Sequence, residues 1–155
     1  MRIANVLRAK GPVVATVTPN TPVAGALAVL AERSVGAVVV VDHGAVVGMV
    51  WERDAVRHLH QRGTSLVEAP VSEIMNVEVV SCIPSDEVDS ILRTMTKRRI
   101  RHLPVIVGNE LRGIVSMGDL VQARIGELET ERSHLRSYLA TQSVMSFLPR
   151  RGNPR

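Results

Sequence analysis

The feature that most constrains this chain is that it repeats itself. Sliding the sequence by 65 residues lays Pro19 on Pro84, Val23 on Val88, Leu27 on Leu92 and Arg33 on Arg98. The same shift lays Val40 on Val105, Gly48 on Gly113, Val50 on Val115, Asp54 on Asp119 and Val56 on Val121. No gap is needed between Thr16–Val56 and Ser81–Val121. A repeat of this length is one supersecondary unit that cannot bury its apolar face alone, so two copies must complete each other's core. The expected arrangement is two halves related by a pseudo-two-fold axis, with equivalent clefts facing each other.

Each half carries the same element pattern. Thr21-Pro22 places a capping residue before a proline at the first helical position. Val23, Leu27 and Leu30 then recur at helical spacing over about 13 residues. In the second half Ser85 is the candidate cap, Asp86 and Glu87 suit the positive first turn, and Val88, Ile91, Leu92 and Met95 form the stripe. The β-branched run Ala37–Val41 reads as a buried strand, turned at Asp42-His43-Gly44 to run back over Ala45–Val50. Its copy is Leu103–Val107, the turn Gly108-Asn109, and Glu110–Val115. Helices follow, Glu52–Arg62 stopped by Gly63, and from Gly118 onward. The predicted fold class is therefore α/β (α+β), with two β-α-β-β-α repeats and a C-terminal helix. The divisions expected are an N-terminal segment 1–12, a first repeat 13–63, a linker and short helical turn 64–75, a second repeat 76–125, and a helix with a basic tail 126–155.

Aromatic residues make up only 2% of the chain, so its core must be aliphatic. The single Cys82 cannot form an internal disulfide, which suits a reducing, cytoplasmic setting. No signal-peptide pattern opens the chain, and no apolar run approaches the roughly 18 residues of a membrane span. The net charge of +4 is local: residues 120–155 carry six Arg against three Glu, ending in Arg150-Arg151-Gly152-Asn153-Pro154-Arg155. A basic tail can bind nucleic acid, but stacking aromatics and a reading helix are missing, so that reading ranks below a solvated, frayed end. His58 and His60 are two apart and face different sides of a helix, and no Cys/His cluster offers a metal site. No phosphate-binding glycine loop and no nucleophile motif is present, so a catalytic role ranks last.

The second half reads Arg101-His102-Leu103-Pro104-Val105, then Gly113-Ile114-Val115-Ser116-Met117-Gly118-Asp119-Leu120. This resembles the CBS domain signature: a glycine, two apolar residues, Ser or Thr, two free positions and Asp. Val71-Ser72-Glu73-Ile74-Met75 resembles the lead-in to a second such domain. The resemblance spans roughly residues 10–125 and implies a paired module that binds AMP, ADP, ATP, NAD or S-adenosylmethionine. It implies sensing and signalling to a protein partner, with disc-like homodimers common. Physically, an ionised Asp119 accepts two hydrogen bonds side by side, which matches the neighbouring hydroxyls of a ribose. The helix N-terminus beside it favours anions. The competing reading is that Ser116 and Asp119 only cap their helix.

On the resemblance, Arg101 and His102 meet phosphates at the strand entrance. Ser81 and its equivalent Thr16 reach ribose or phosphate. Ile83 and Ile100 sandwich the adenine, and Leu103 and Pro104 offer backbone groups to its edge. The first half departs from the pattern. Trp51 stands where Ser or Thr belongs, Gly36-Ala37 replace Arg101-His102, and Arg53 adds a cation beside Asp54. Trp51 closes this site, stacks on a base, or fills the core. The second half is thus the better expected nucleotide site, with Arg53 reaching across to its phosphates. Val121, Ile125, Leu128, Leu135 and Leu139 form one stripe, interrupted by Arg132, for packing on the module or for dimerisation. A module with empty clefts, acting purely by protein contacts, is the alternative.

Overall fold

The computed structural model describes the backbone of residues 1–146 and side chains through residue 143; the basic tail from Arg150 lies outside the described residues. The first half runs β1 (Thr16–Val17), α2 (Val23–Glu32), β2 (Ala37–Asp42), β3 (Ala45–Trp51) and α3 (Glu52–Arg62), after an N-terminal helix α1 (Ile3–Lys10). Two 3-10 turns, Gly63–Glu68 and Val71–Glu73, lead into the second half. That half runs α4 (Val88–Arg98), β4 (His102–Val107), β5 (Glu110–Ser116) and α5 (Met117–Ser146).

The repeat holds pair by pair in the ladders. Ala37 faces Trp51 and Val40 faces Gly48, with a register shift after Val40. His102 faces Ser116 and Val105 faces Gly113, with the same shift after Val105. Both hairpins use positive-φ residues, His43-Gly44 in one and Gly108 in the other, as tight two-residue turns require. One strand of the expected plan is reduced. β1 pairs in parallel with β2, but its counterpart shrinks to a single bridge between Cys82 and Val105. The helix starts also differ from the expectation. Pro22 is the N-cap rather than the first helical residue, and Thr21 instead accepts a hydrogen bond from Thr18 N–H. Asp86, not Ser85, accepts from the Ile83 N–H at 2.9 Å and shapes the turn before α4.

The N-terminal segment belongs to the second half. Ile3 and Val6 are buried among Cys82, Val88, Ile91, Met95, Leu103 and Leu120. The Ile3 and Ala4 N–H groups donate to the carbonyls of Asp86 and Pro84. In the first half Val71 and Ser72 donate likewise to Thr21 and Pro19. The segment entering each half thus docks in the same place, and Leu66, Val71 and Ile74 complete the first core as Ile3 and Val6 complete the second. The motif glycines serve this docking. A Cβ on Gly113 would lie 2.6 Å from Leu7 Cδ2, and one on Gly48 would lie 2.8 Å from Met75 Sδ.

A third cluster closes the seam between the halves. Ala37, Val39 and Met49 are buried there against Trp51, Val79, Leu111 and Ile114. α5 leaves the body beyond this core. Leu120 is fully buried, but Val121, Ile125, Leu128, Leu135 and Leu139 are all exposed. The stripe therefore does not pack on its own module.

Candidate functional site

β5 ends at Ser116 and α5 begins at once, which brings Asp119 into the first helical turn. The two side chains form a reciprocal cap. Ser116 N–H donates to Asp119 Oδ2 at 2.8 Å, and Asp119 N–H donates to Ser116 Oγ at 3.1 Å. Capping and ligand recognition are compatible here, because the cap occupies Oδ2 and aims the carboxylate into a cleft. Lys10 Nζ, at the end of α1, also donates to Oδ2 at 2.6 Å and to the Ile114 carbonyl at 3.1 Å. Burial alone would raise the Asp119 pKa, but the bonds from Lys10 and Ser116 outweigh it and hold the carboxyl below its ordinary range.

The cleft at Asp119 measures about 260 Å³ and mixes the two halves. Ser116, Ile114 and His102 come from the second, and Ala15, Val35 and Gly36 from the first. His102 crosses the seam. A Cβ on Gly36 would lie 2.7 Å from His102 Cε1, so the imidazole needs a glycine opposite it. This accounts physically for Gly36 in the first half.

A second pocket, of about 440 Å³, shares that contact as part of its wall. Gly36 and His102 line it too, with Trp51, Arg53, Arg99, Ile100 and Arg101. Its volume falls within the range of small-molecule sites, about 300–1,000 Å³. Trp51 fills the seam with part of its ring, and its Nε1–H is buried without an acceptor. Trp51 therefore both packs and forms a pocket wall.

The remaining candidates are scattered. Leu103 is fully buried in the second core, and the Pro104 carbonyl already accepts the Cys82 N–H at 3.1 Å. Ser81, Ile83 and Thr16 are exposed and line neither pocket. Ile83 and Ile100 do not share one. Ala37 is the exception, buried in the seam yet lining the Asp119 cleft. Asp54 turns toward its own helix, with Arg57 at 3.2 Å and Arg53 at 4.0 Å. Trp51 offers α3 no side-chain cap, so the reciprocal Ser/Asp arrangement exists in the second half alone. Cys82 is buried, and its thiol is pushed up to about 12, mainly by desolvation, which makes it a poor nucleophile. Among the described residues no group of three His, Cys, Asp or Glu could hold a metal, and no helix is long and apolar enough to cross a membrane.

Sequence reasoning missed Lys10, Ala15 and Val35. A signal for α1 was present. A shift of 68 residues lays Ile3, Val6 and Leu7 on Val71, Ile74 and Met75, the apolar pattern of the lead-in.

The titration of His102 gives a direct check on the seam. Burial lowers its pKa below the ordinary 6.5, and Lys10 and Arg101 push the same way against Asp119 and Glu52. The unfolded chain therefore takes up this proton at a higher pH than the folded one. The stability involved is fully present above about pH 6.5 and is lost as pH falls through the lower folded-state value. Urea midpoints measured from pH 7.5 down to 5 should fall for the native chain, with a smaller slope for His102→Gln.

Two repeat units, one β-α-β-β-α and one with its leading strand reduced to a bridge, closed on each other across a shared seam with a carboxylate-bearing helix start at the cleft, define a tandem-repeat pair. Residues 9–61 and 71–126 each match the CBS domain family, and the chain belongs to that family. It is 37% identical over 107 residues to the CBS domain-containing protein YhcV of Bacillus subtilis, covering 69% of this chain and 76% of YhcV. Among solved structures, the CBS-domain containing protein ATU1752 from Agrobacterium tumefaciens is 37% identical, with a TM-score of 0.76 over 80% of this chain and 99% of that one. The CBS domain pair of protein MJ0100, solved with 5'-methylthioadenosine and S-adenosylmethionine, shares the fold at 23% identity and a TM-score of 0.72, over 82% and 98% of the two chains.

Proposed function

We propose that this chain is a non-catalytic sensor that binds an adenine nucleotide at the Asp119 cleft and passes the bound state to a protein partner. The observation that carries this reading is the Asp119 carboxylate, held ionised and aimed into a cleft built from both halves. Its Oδ1 makes no hydrogen bond within the described residues, and a ribose hydroxyl can take it. Phosphates leaving that ribose run toward the wall formed by His102 and on to Arg101, Arg99 and Arg53. No carboxylate lies within ion-pair distance of Arg99 or Arg101 among the described residues, so an anion finds them open. The bound adenosyl compounds of the MJ0100 pair support this ligand class. A cleft spanning the seam also provides the means of signalling, because a ligand there changes how the halves sit together. The single buried thiol fits a reducing, cytoplasmic setting.

A thermal-shift panel of AMP, ADP, ATP, NAD and S-adenosylmethionine tests the reading. At least one nucleotide should raise the midpoint in proportion to the logarithm of its concentration. A flat panel would leave the module with empty clefts, acting by protein contacts alone.

The partner surface is α5, and its first partner is a second copy of the chain. Val121, Ile125, Leu128, Arg132, Leu135 and Leu139 fall alternately four and three apart, which is the seam of a two-stranded coiled coil. In a parallel pair the flanking positions set Arg124 opposite Glu129 and Glu131 opposite Arg136 of the other copy, all four contacts attractive. The arginine in the seam costs stability and fixes register. Light scattering should show a dimer for the native chain and a monomer for Leu128→Glu/Leu135→Glu. An unchanged dimer would move the interface to the body of the module.

A further inference from the structure

Lys10 stands where a ribose must bind. The Asp119 Oδ2 atom already has two donors, Ser116 N–H and the Lys10 ammonium at 2.6 Å. A diol grips a carboxylate best with one hydroxyl on each oxygen, so a ribose must move Lys10 aside. The main chain of Lys10 cannot follow. α1 is anchored by Ile3 and Val6 in the second core, and its Ile3 and Ala4 N–H groups are held by the carbonyls of Asp86 and Pro84. Only the ammonium can swing, on its four-carbon stem, and it stays in the cleft. Its displacement separates it from Asp119, its one ion-pair partner among the described residues, and leaves it beside a neutral His102. That loss is made good only if the ligand brings an anion within reach of the stem.

We infer that Lys10 is a specificity-determining residue, which makes the Asp119 cleft select adenosine ligands with an anionic 5' group over neutral or cationic adenosyl compounds. A 5'-phosphate accepts the displaced ammonium in a charge-assisted bond. A methylthio group offers no charge, and a sulfonium repels it. The corresponding position before the second half, at the 68-residue shift that aligns the two lead-in segments, is Glu78. The device is therefore built into one cleft only. The inference rests on the adenine-nucleotide reading of that cleft.

The test is calorimetric titration of the full chain with AMP and with 5'-methylthioadenosine, in the native protein, Lys10→Met and Lys10→Arg. The native chain should prefer AMP, and Lys10→Met should cut that preference about tenfold, by weakening AMP and strengthening the thioether. Lys10→Arg keeps the charge and should keep the preference. An AMP to methylthioadenosine ratio unchanged in Lys10→Met overturns the inference, as does a native chain that binds the thioether at least as tightly. Those results leave the nucleotide reading intact. Failure of both compounds to bind the native chain overturns the nucleotide reading itself, and the inference with it.

Discussion

Asp119→Ala abolishes the thermal stabilisation that a bound nucleotide gives. At one hundred times its dissociation constant a ligand stabilises the native chain by about 2.7 kcal/mol. For a chain of this size that is a rise in midpoint of roughly 5–11 °C. The substitution removes both acceptor oxygens facing the ribose. Hydrogen bonds to a charged group contribute roughly 1.5–3 kcal/mol each, so losing two weakens binding by a hundredfold or more. It also removes half of the reciprocal helix cap, which costs the free protein about 1 kcal/mol. Ser116→Ala separates these effects. It loses the hydroxyl that caps Asp119 N–H and keeps the carboxylate, so the free midpoint drops while much of the ligand-induced rise survives. An Asp119→Ala protein that keeps its full shift would place the nucleotide elsewhere, and the pocket at Trp51 and Arg101 is then the site to probe.

The second large effect is at the opposite end of the chain. Ile3 is fully buried in the second core although it is the third residue of the sequence. Ile3→Ala leaves a cavity beneath α1 and should cost about 2–5 kcal/mol. With a urea dependence of about 3 kcal/mol per molar, the upper end of the range for small proteins, the midpoint falls by roughly 1–2 M. Val13→Ala, at a residue 73% exposed, is the matched control and should stay within about 0.5 kcal/mol of the native chain. Loss of α1 packing also frees Lys10 from its anchor, so Ile3→Ala should weaken discrimination between AMP and 5'-methylthioadenosine. An Ile3→Ala midpoint equal to that of Val13→Ala would mean that α1 does not dock.

Most of the architecture was legible from local patterns. The strands could be read because Ala37–Val41 and Leu103–Val107 are apolar runs bounded by turn residues. Glu52–Arg62 was legible to the residue because Gly63 stops it. The weak leading strand of the second half was not legible. Its loss depends on how Cys82 meets Val105, not on its own residues. Among the site candidates, Asp119, Ser116, Arg101 and His102 come to the clefts. Leu103 and Pro104 are spent on the core and on the Cys82 bridge, where burial and backbone pairing set the outcome. Thr16 and Ser81, equivalent by the repeat, are both exposed.

The sequence alone determined the repeat, and with it the two-fold plan, because each half carries its own strand, helix and turn signals at one fixed spacing. It also marked the chemical asymmetry, since Trp51 and Ser116 differ at equivalent positions. Only the tertiary structure decided that residues at the start of the chain complete the second half, that His102 lies on Gly36 across the seam, and that Lys10 closes on Asp119. The last two pairs are 66 and 109 residues apart, and each is set by packing and charge between whole elements. No local pattern encodes such contacts, because their energy exists only once both halves have folded against each other.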